Sequence, residues 1–181
     1  MTEQVTETGE RPAARQTPRA LGGAGRDAAV ILGIFLALGL VCGVLWWLLV
    51  DPATFTKLKT GGSMGEAELA KQFNADGWYT VIGAVAGLLA GGVLTWWRSR
   101  DFLLTTVLVG VGAVLAAAAT ALVGYVLGPG NADAALAAAK VGAHVPMQLT
   151  VTGVEPYLVW PAASLLGALM VLWSSPKDTD R

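Results

Sequence analysis

The sequence is poor in the residues that most often carry chemistry. Its 181 residues include one cysteine, Cys42, and one histidine, His144. A single cysteine excludes a disulfide within the chain, and a lone histidine without nearby cysteines lacks the spacing of a zinc site. We also find no nucleophile motif, phosphate-binding loop or dinucleotide fingerprint. The sequence therefore predicts no catalytic residue, no metal and no cofactor, and we expect that the protein is not an enzyme.

Charge is also scarce, at 14% of the residues against roughly 25% in an average soluble domain. The net charge of −1 offers no basic surface, so we expect no binding to nucleic acid. The low content of charged residues is explained by four apolar stretches. They are residues 28–50, 77–97, 102–127 and 155–173, and their only charge is Glu155 at the edge of the last stretch.

Each apolar stretch has the length of a membrane-spanning helix. At about 1.5 Å per residue, some 20 residues cross a hydrocarbon core of about 30 Å. The sequence therefore predicts an all-α membrane protein, with four transmembrane helices in an antiparallel bundle and the lipid bilayer as its first partner. Pro161 lies inside the fourth span and predicts either a kink or a later start of that helix.

The second and third spans are joined by only four polar residues, at positions 98–101, so we expect them to lie side by side. Both carry small residues at every fourth position, which places these residues on one face of each helix and lets two backbones approach closely. We predict that the second and third spans meet at these packing positions, which are Gly83, Gly87, Gly91, Gly112, Ala116, Thr120 and Gly124.

The first long loop, residues 51–76, carries signs of secondary structure. Residues 54–59 alternate polar and apolar side chains, as a short strand does. Ser63 and Glu66 have the spacing of a capping box, which predicts a short amphipathic helix with Leu69 and Phe73 on one face. The alternative is a plain flexible loop.

The second long loop, residues 128–154, has similar signs in the opposite order. Asn131 is expected to cap a short helix over residues 132–140, and residues 148–154 alternate as a strand does. Both loops together predict a small α/β cap.

The side chains of the predicted cap divide into an apolar and a charged set. We expect the cap to be held together by its apolar residues, which are Phe55, Leu58, Leu69, Phe73, Val151 and Val154. The charged residues form a candidate binding surface of Lys57, Lys59, Glu66, Glu68 and Lys71.

The arginines predict how the chain is oriented. We expect residues 1–27 to be a disordered cytoplasmic tail and residues 174–181 a second, short one. With both termini inside, all arginines of the chain fall on the cytoplasmic side, as the positive-inside rule requires. The prediction is a multi-pass protein of the plasma membrane with both long loops outside.

Four short motifs carry a family resemblance. They are Asn-Ala-Asp-Gly-Trp at 74–78, Leu-Thr-Trp-Trp-Arg at 94–98, Leu-Gly-Pro at 127–129 and Leu-Val-Trp-Pro at 158–161. With them, residues 28–177 resemble the actinobacterial four-span integral membrane proteins classified as a domain of unknown function. The resemblance implies a four-span membrane protein, and it implies no established activity, cofactor or catalytic residue.

These observations favour an accessory or interaction protein that acts through its extracytoplasmic loops. Its partner would be an envelope protein or a second copy of the chain. The alternative is a small transporter or the subunit of an oligomeric channel. Transport usually uses ionisable groups inside the membrane, and the four spans have none in their interiors.

Overall fold

The computed structural model of the protein describes residues 18–98 and 102–174, with side chains described from Gly25 onward. Most of the two predicted tails, and residues 99–101 of the short turn, lie outside these ranges. The predicted tail over residues 1–27 is wrong in its last part, because helix α1 already begins at Pro18. Proline suits the first turn of a helix, where its missing N–H would have no partner.

The described chain forms five helices and three short strands. In chain order they are α1 (Pro18–Leu49), β1 (Thr54–Leu58), β2 (Gly61–Ser63), α2 (Glu66–Trp97), α3 (Phe102–Leu127), α4 (Ala132–Ala138), β3 (His144–Pro146) and α5 (Glu155–Ser174). Four of the helices, α1, α2, α3 and α5, are long and apolar enough to cross a membrane. The prediction of a mostly helical chain with four such helices is confirmed.

Helix α2 is longer than the sequence predicted. The expected short helix and the second span form one continuous helix of 32 residues, about 48 Å long. No proline interrupts the sequence between Glu66 and Trp97, so nothing ends the helix before the span begins. The predicted capping box is not formed, because Gly65 is the N-cap residue and Ser63 lies in β2.

Helix α5 runs without a break from Glu155 to Ser174, with Pro161 inside it. The later helix start that Pro161 suggested is therefore wrong. The ring removes one backbone donor in the first third of the helix, which the remaining turns tolerate.

The long helices pack as two close pairs, and the first pair is α1 with α3. A Cβ atom added at Gly39 would lie 2.6 Å from the carbonyl oxygen of Ala116, so the two backbones touch there. Gly112 lies under the ring of Phe35, and Gly124 lies under the ring of Trp46. Small residues thus leave the space that the aromatic side chains of α1 fill.

The second pair is α2 with α5. Gly83 lies against the indole of Trp160, and a Cβ atom at Gly87 would lie 2.9 Å from the Trp160 carbonyl oxygen. Gly91 lies directly on the backbone of Ser164. Residue numbers rise together along both helices of each pair, so the helices within a pair are parallel.

The prediction that the small-residue faces of the second and third spans meet each other is therefore wrong, because these faces meet α5 and α1 instead. Further contacts join α3 to α5 and α1 to α2, which gives the order α1, α3, α5, α2 around the bundle. Helices α2 and α3 face each other across the centre, where the Tyr79 hydroxyl donates to the Ala117 carbonyl oxygen at 2.8 Å. Spacing of four identifies a packing face but not the helix that meets it. Aromatic rings fill these faces better than a second stripe of small residues would.

Candidate functional site

The candidate site is the cap at one end of the bundle, formed by residues 51–65 and 128–154. Strand β1 from the first loop lies in the middle of an antiparallel sheet of order β2-β1-β3. It pairs with β3 from the second loop, with Phe55 opposite Val145. Beyond the ladder, the Lys57 N–H donates to the Ala143 carbonyl oxygen and the Gly142 N–H to the Lys57 carbonyl oxygen. The two loops are thus one folded unit.

The strand predicted over residues 54–59 is confirmed, whereas the one predicted over residues 148–154 is wrong. The second loop pairs through His144–Pro146 instead. Backbone hydrogen bonds between the two loops determine which residues of the second loop form a strand. Alternation of polar and apolar side chains within one segment does not indicate this pairing.

Helix α4 contacts the sheet at β3, and its Leu136 side chain reaches Gly62 of β2. As predicted, the Asn131 side chain caps this helix and accepts hydrogen bonds from the N–H groups of Asp133 at 2.9 Å and Ala134 at 3.1 Å. A Cβ atom at Gly62 would lie 3.0 Å from Leu136 Cδ1, so α4 packs directly on β2.

Charged residues fasten the first loop to the start of α2. Glu68 Oε2 accepts a hydrogen bond of 2.7 Å from the Thr54 N–H. Lys71 Nζ lies 3.0 Å from Asp51 Oδ2 and 3.3 Å from Glu68 Oε1. The Thr54 N–H, aided by Lys71, holds the pKa of Glu68 below its ordinary value. Asp51 first, and Glu68 next, raise the pKa of Lys71.

The second loop is fastened to both α2 and α3. The Thr152 N–H donates to Asp76 Oδ1 at 3.1 Å, and Gln72 Nε2 donates to Thr152 Oγ1 at 3.3 Å. Leu149 is buried against Gly124 of α3 and against Gly128, which directly follows that helix. The cap is therefore held to the bundle on two sides.

The five charged residues of the predicted binding surface fall into two groups. Glu68 and Lys71 are occupied in fastening the cap, and Lys57 is half-buried in the sheet. Lys59 and Glu66 are exposed. Of the five residues, only Lys59 and Glu66 are thus exposed enough to contact a partner.

Most of the apolar side chains expected to hold the cap together are exposed instead. Phe73 is 72% exposed and Leu69 is 47% exposed. Val154 and Leu58 are exposed too, and only Phe55 and Val151 are partly buried. The physical reason is the helical period: residues 68, 71 and 72 face the cap, which turns positions 69 and 73 away from it.

The core of the cap consists of other apolar side chains. Ala53, Val145 and Leu149 are its buried apolar side chains. The sequence indicated that Leu69 and Phe73 share a helical face, because they are four residues apart. It did not indicate that this face has no neighbour.

The bundle interior holds polar groups but no charge in the part of the chain that the structure describes. The buried polar side chains there are those of Thr95, Thr105, Thr120 and Ser164. Thr105 donates to the Arg98 carbonyl oxygen, and Thr120 donates to the carbonyl oxygens of Gly39 and Ala116. These two hydroxyls act in helix packing.

The residue types that bind metals do not come together in the described ranges, where no group of three or more His, Cys, Asp or Glu could hold an ion. His144 lies on the exposed sheet, with Nδ1 3.3 Å from Thr56 Oγ1. Cys42 is buried on α1.

Comparison of the chain with protein-family models, curated proteins and solved structures gave no match. The resemblance to the actinobacterial four-span proteins stays a prediction, and function has to be argued from the geometry alone.

Proposed function

We propose that the protein is a multi-pass plasma-membrane protein that docks an envelope protein on the exposed face of α2 beside the cap. The docking face consists of Leu69, Phe73 and Val154. The observation that carries the proposal is the exposure of Phe73, which is 72% accessible although it is a large aromatic residue.

The docking face lies outside the apolar part of the helix. Phe73 precedes Trp78 by five residues, which is about 7 Å along the helix, and Leu69 lies one turn further out. If Trp78 lies at the membrane interface, where tryptophan is enriched, Leu69 lies beyond the head groups. Exposed apolar side chains in that position are typical of protein–protein contact sites.

The docking face is also rigid and polar at its rim. It belongs to a helix that continues into the bundle, and Thr152, which precedes Val154 by two residues, is bonded to Gln72 and Asp76. Glu66 is exposed one turn before Leu69. An apolar centre with a charged rim is the usual anatomy of an interface, and it favours a partner with an apolar groove flanked by basic side chains.

The rival function is a route for a solute through the bundle, as in a transporter or channel subunit. It would use the hydroxyls of the interior. Those of Thr105 and Thr120 are bonded to backbone carbonyls, whereas those of Thr95 and Ser164 have no partner among the described residues. No side chain of Asp, Glu, Lys, Arg or His is buried with them in the described part of the bundle. The geometry supports docking better.

Site-specific photocrosslinking tests the docking face in the native membrane. We expect a benzophenone side chain at position 73 to give a discrete heavier product, and the same group at Asp133, exposed on α4, to give none. Leu69→Ser should abolish the product at position 73, whereas Lys59→Ser should not. Equal products at positions 73 and 133, or no effect of Leu69→Ser, would contradict the proposal. A product of twice the chain mass would identify a second copy as the partner.

The orientation is tested by cysteine labelling in a Cys42→Ala background. With the cap outside, an impermeant thiol reagent on intact cells should label Ser63→Cys and Asn131→Cys but not Ser99→Cys. The reverse pattern would place the cap in the cytoplasm, which would replace the envelope protein by a cytoplasmic partner.

A further inference from the structure

A cavity of about 450 Å³ lies between α3 and α5 at the cap end of the bundle. Its floor is Ala118, Ala121 and Leu122 of α3. Its rim is formed by Tyr125, Tyr157 and the extended segment of residues 149–151. The cavity is thus apolar at the bottom and polar at the top.

The rim carries hydrogen-bonding groups without partners. Among the described residues, none donates to or accepts from the hydroxyls of Tyr125 and Tyr157 or the N–H groups of Thr150 and Val151. The rim lies at the cap end of the bundle, where Tyr125 marks the membrane interface, so these groups face water or the head groups of lipids. An occupant that brings oxygen acceptors to this level can form hydrogen bonds with the rim.

The rim is held in place by its neighbours, so it is a formed site. The Tyr157 ring packs on Tyr79 with 5.6 Å between the ring centroids, and Tyr79 is hydrogen-bonded to Ala117 on α3. Leu149 is fixed between Gly124 and Gly128. Small side chains at Ala118 and Ala121 keep the floor open.

The depth of the cavity points to a single leaflet. Ala118 is seven residues from Tyr125, which is about 10 Å along α3 and less than half of a hydrocarbon core of about 30 Å. Tyrosine is enriched at the membrane interface, and Tyr125 lies in the last turn of α3. A transmembrane helix would need a groove through both leaflets, whereas an acyl chain entering from the cap side fits this one.

Charge selects the kind of head group. None of the lining residues is basic. A carboxylate lies beside the rim instead, because Asp76 accepts the Thr152 N–H next to Val151. An anionic phosphate would be repelled by it.

We propose that this cavity binds one lipid of the cap-side leaflet whose head group is uncharged, such as a glycosyl diacylglycerol. Its acyl chain lies on Ala118 and Ala121. Its ester or hydroxyl oxygens accept hydrogen bonds from Tyr125, Tyr157 and the backbone of the segment 150–151. The inference rests on the membrane insertion in the proposed function, and it is independent of the docking face.

The test uses the purified full chain in lipid nanodiscs with one photoactivatable lipid at a time. The probes are a glycosyl diacylglycerol and a phosphatidylglycerol with the same diazirine-bearing acyl chains. We expect the glycolipid to label residues 118–125 more strongly than the phospholipid does. Tyr157→Phe should lower this labelling about fivefold, which is the effect of one lost hydrogen bond. Ala121→Leu should lower it by filling the floor.

Ala162→Leu is the matched control, because Ala162 is an exposed alanine of α5 outside the lining. It should leave the labelling unchanged. Equal labelling by both probes, or labelling that neither Tyr157→Phe nor Ala121→Leu lowers, would reduce the cavity to ordinary contact with bulk lipid and overturn the proposal. Absence of label on every helix would instead contradict membrane insertion, so the two failures are distinguishable.

Discussion

The two helix pairs of the bundle pack in the same way, but they differ in whether their buried polar groups are hydrogen-bonded. In both the α1–α3 pair and the α2–α5 pair, small residues on one helix accept aromatic rings or backbone of a parallel partner. In and around the first pair, the buried polar groups have partners. Thr120 is bonded to two carbonyl oxygens, and Trp46 Nε1 donates to the Ala75 carbonyl oxygen at 2.8 Å.

Among the residues that the structure describes, the second pair leaves three buried polar atoms without a partner: Thr95 Oγ1, Trp160 Nε1 and Ser164 Oγ. Each unsatisfied buried group costs about 1–3 kcal/mol. Close packing of backbones is therefore the main stabilising feature of α2–α5, while α1–α3 adds hydrogen bonds to it.

The two pairs are joined along α1 and α2 by an ion pair at each end. Lys71 meets Asp51 at the cap end, and Arg98 meets Asp27 at the other end. Between them lies an apolar groove of about 660 Å³ that is lined by α1 and α2 alone. Along this groove α1 and α2 thus meet chiefly near its two ends, whereas α3 and α5 join the pairs on the other side of the bundle.

The largest expected effect is the loss of backbone contact within each pair. A Cβ atom at Gly91 would fall on the Ser164 carbonyl oxygen, and one at Gly39 would fall on that of Ala116. We expect Gly91→Ala and Gly39→Ala to lower the free energy of unfolding by about 1–3 kcal/mol or more, since backbone cannot move aside. Thermal unfolding in detergent measures this loss.

Matched controls exist on both helices. An added Cβ atom meets nothing within 4 Å at Gly33 of α1 or at Gly77 of α2. Gly33→Ala and Gly77→Ala should raise stability by up to about 1 kcal/mol through helix propensity. If all four alanine variants behave alike, the two pairs are not held by backbone contact.

A second, smaller effect distinguishes the two pairs by the hydrogen bonding of one threonine hydroxyl in each. Thr120→Val and Thr95→Val make the same change of shape, but Thr120 donates to carbonyls while Thr95 Oγ1 has no partner. We expect Thr120→Val to lower the free energy of unfolding by about 1 kcal/mol and Thr95→Val to leave it unchanged or raise it. Equal losses in the two variants would show that a partner reaches Thr95 in the membrane.

The smallest expected effect concerns the contacts of Glu68 at the cap end of α2, and it depends on pH. The folded state lowers the pKa of Glu68, chiefly through the Thr54 N–H. The resulting stability is present above the ordinary pKa of the carboxyl group and is lost as the pH falls through the lowered value. Wild-type protein should therefore lose thermal stability between neutral pH and about pH 3, and Glu68→Gln should lose less over that range.

Glu66→Gln is the control for this pH dependence, because Glu66 is exposed at the start of the same helix. It should follow the wild type. A Glu68→Gln variant with the same acid dependence as the wild type would show that Glu68 does not fasten the cap.

The sequence by itself determined the helices, since length and apolar composition leave few other structures for these stretches. It also determined β1 and the Asn131 cap of α4, because the chemistry of both is local. The small-residue faces were visible for the same reason, as helical period places residues four apart on one side.

Tertiary structure alone decided what those faces meet. Gly91 on Ser164 and Gly39 on Ala116 are contacts between helices far apart in the chain, and no local pattern contains them. The same holds for the cap, where pairing of Phe55 with Val145 displaced the expected strand. It also holds for Phe73, whose exposure follows from which residues of α2 the cap uses. A pattern of side chains specifies a surface, and only the global competition for close packing decides which surface covers it.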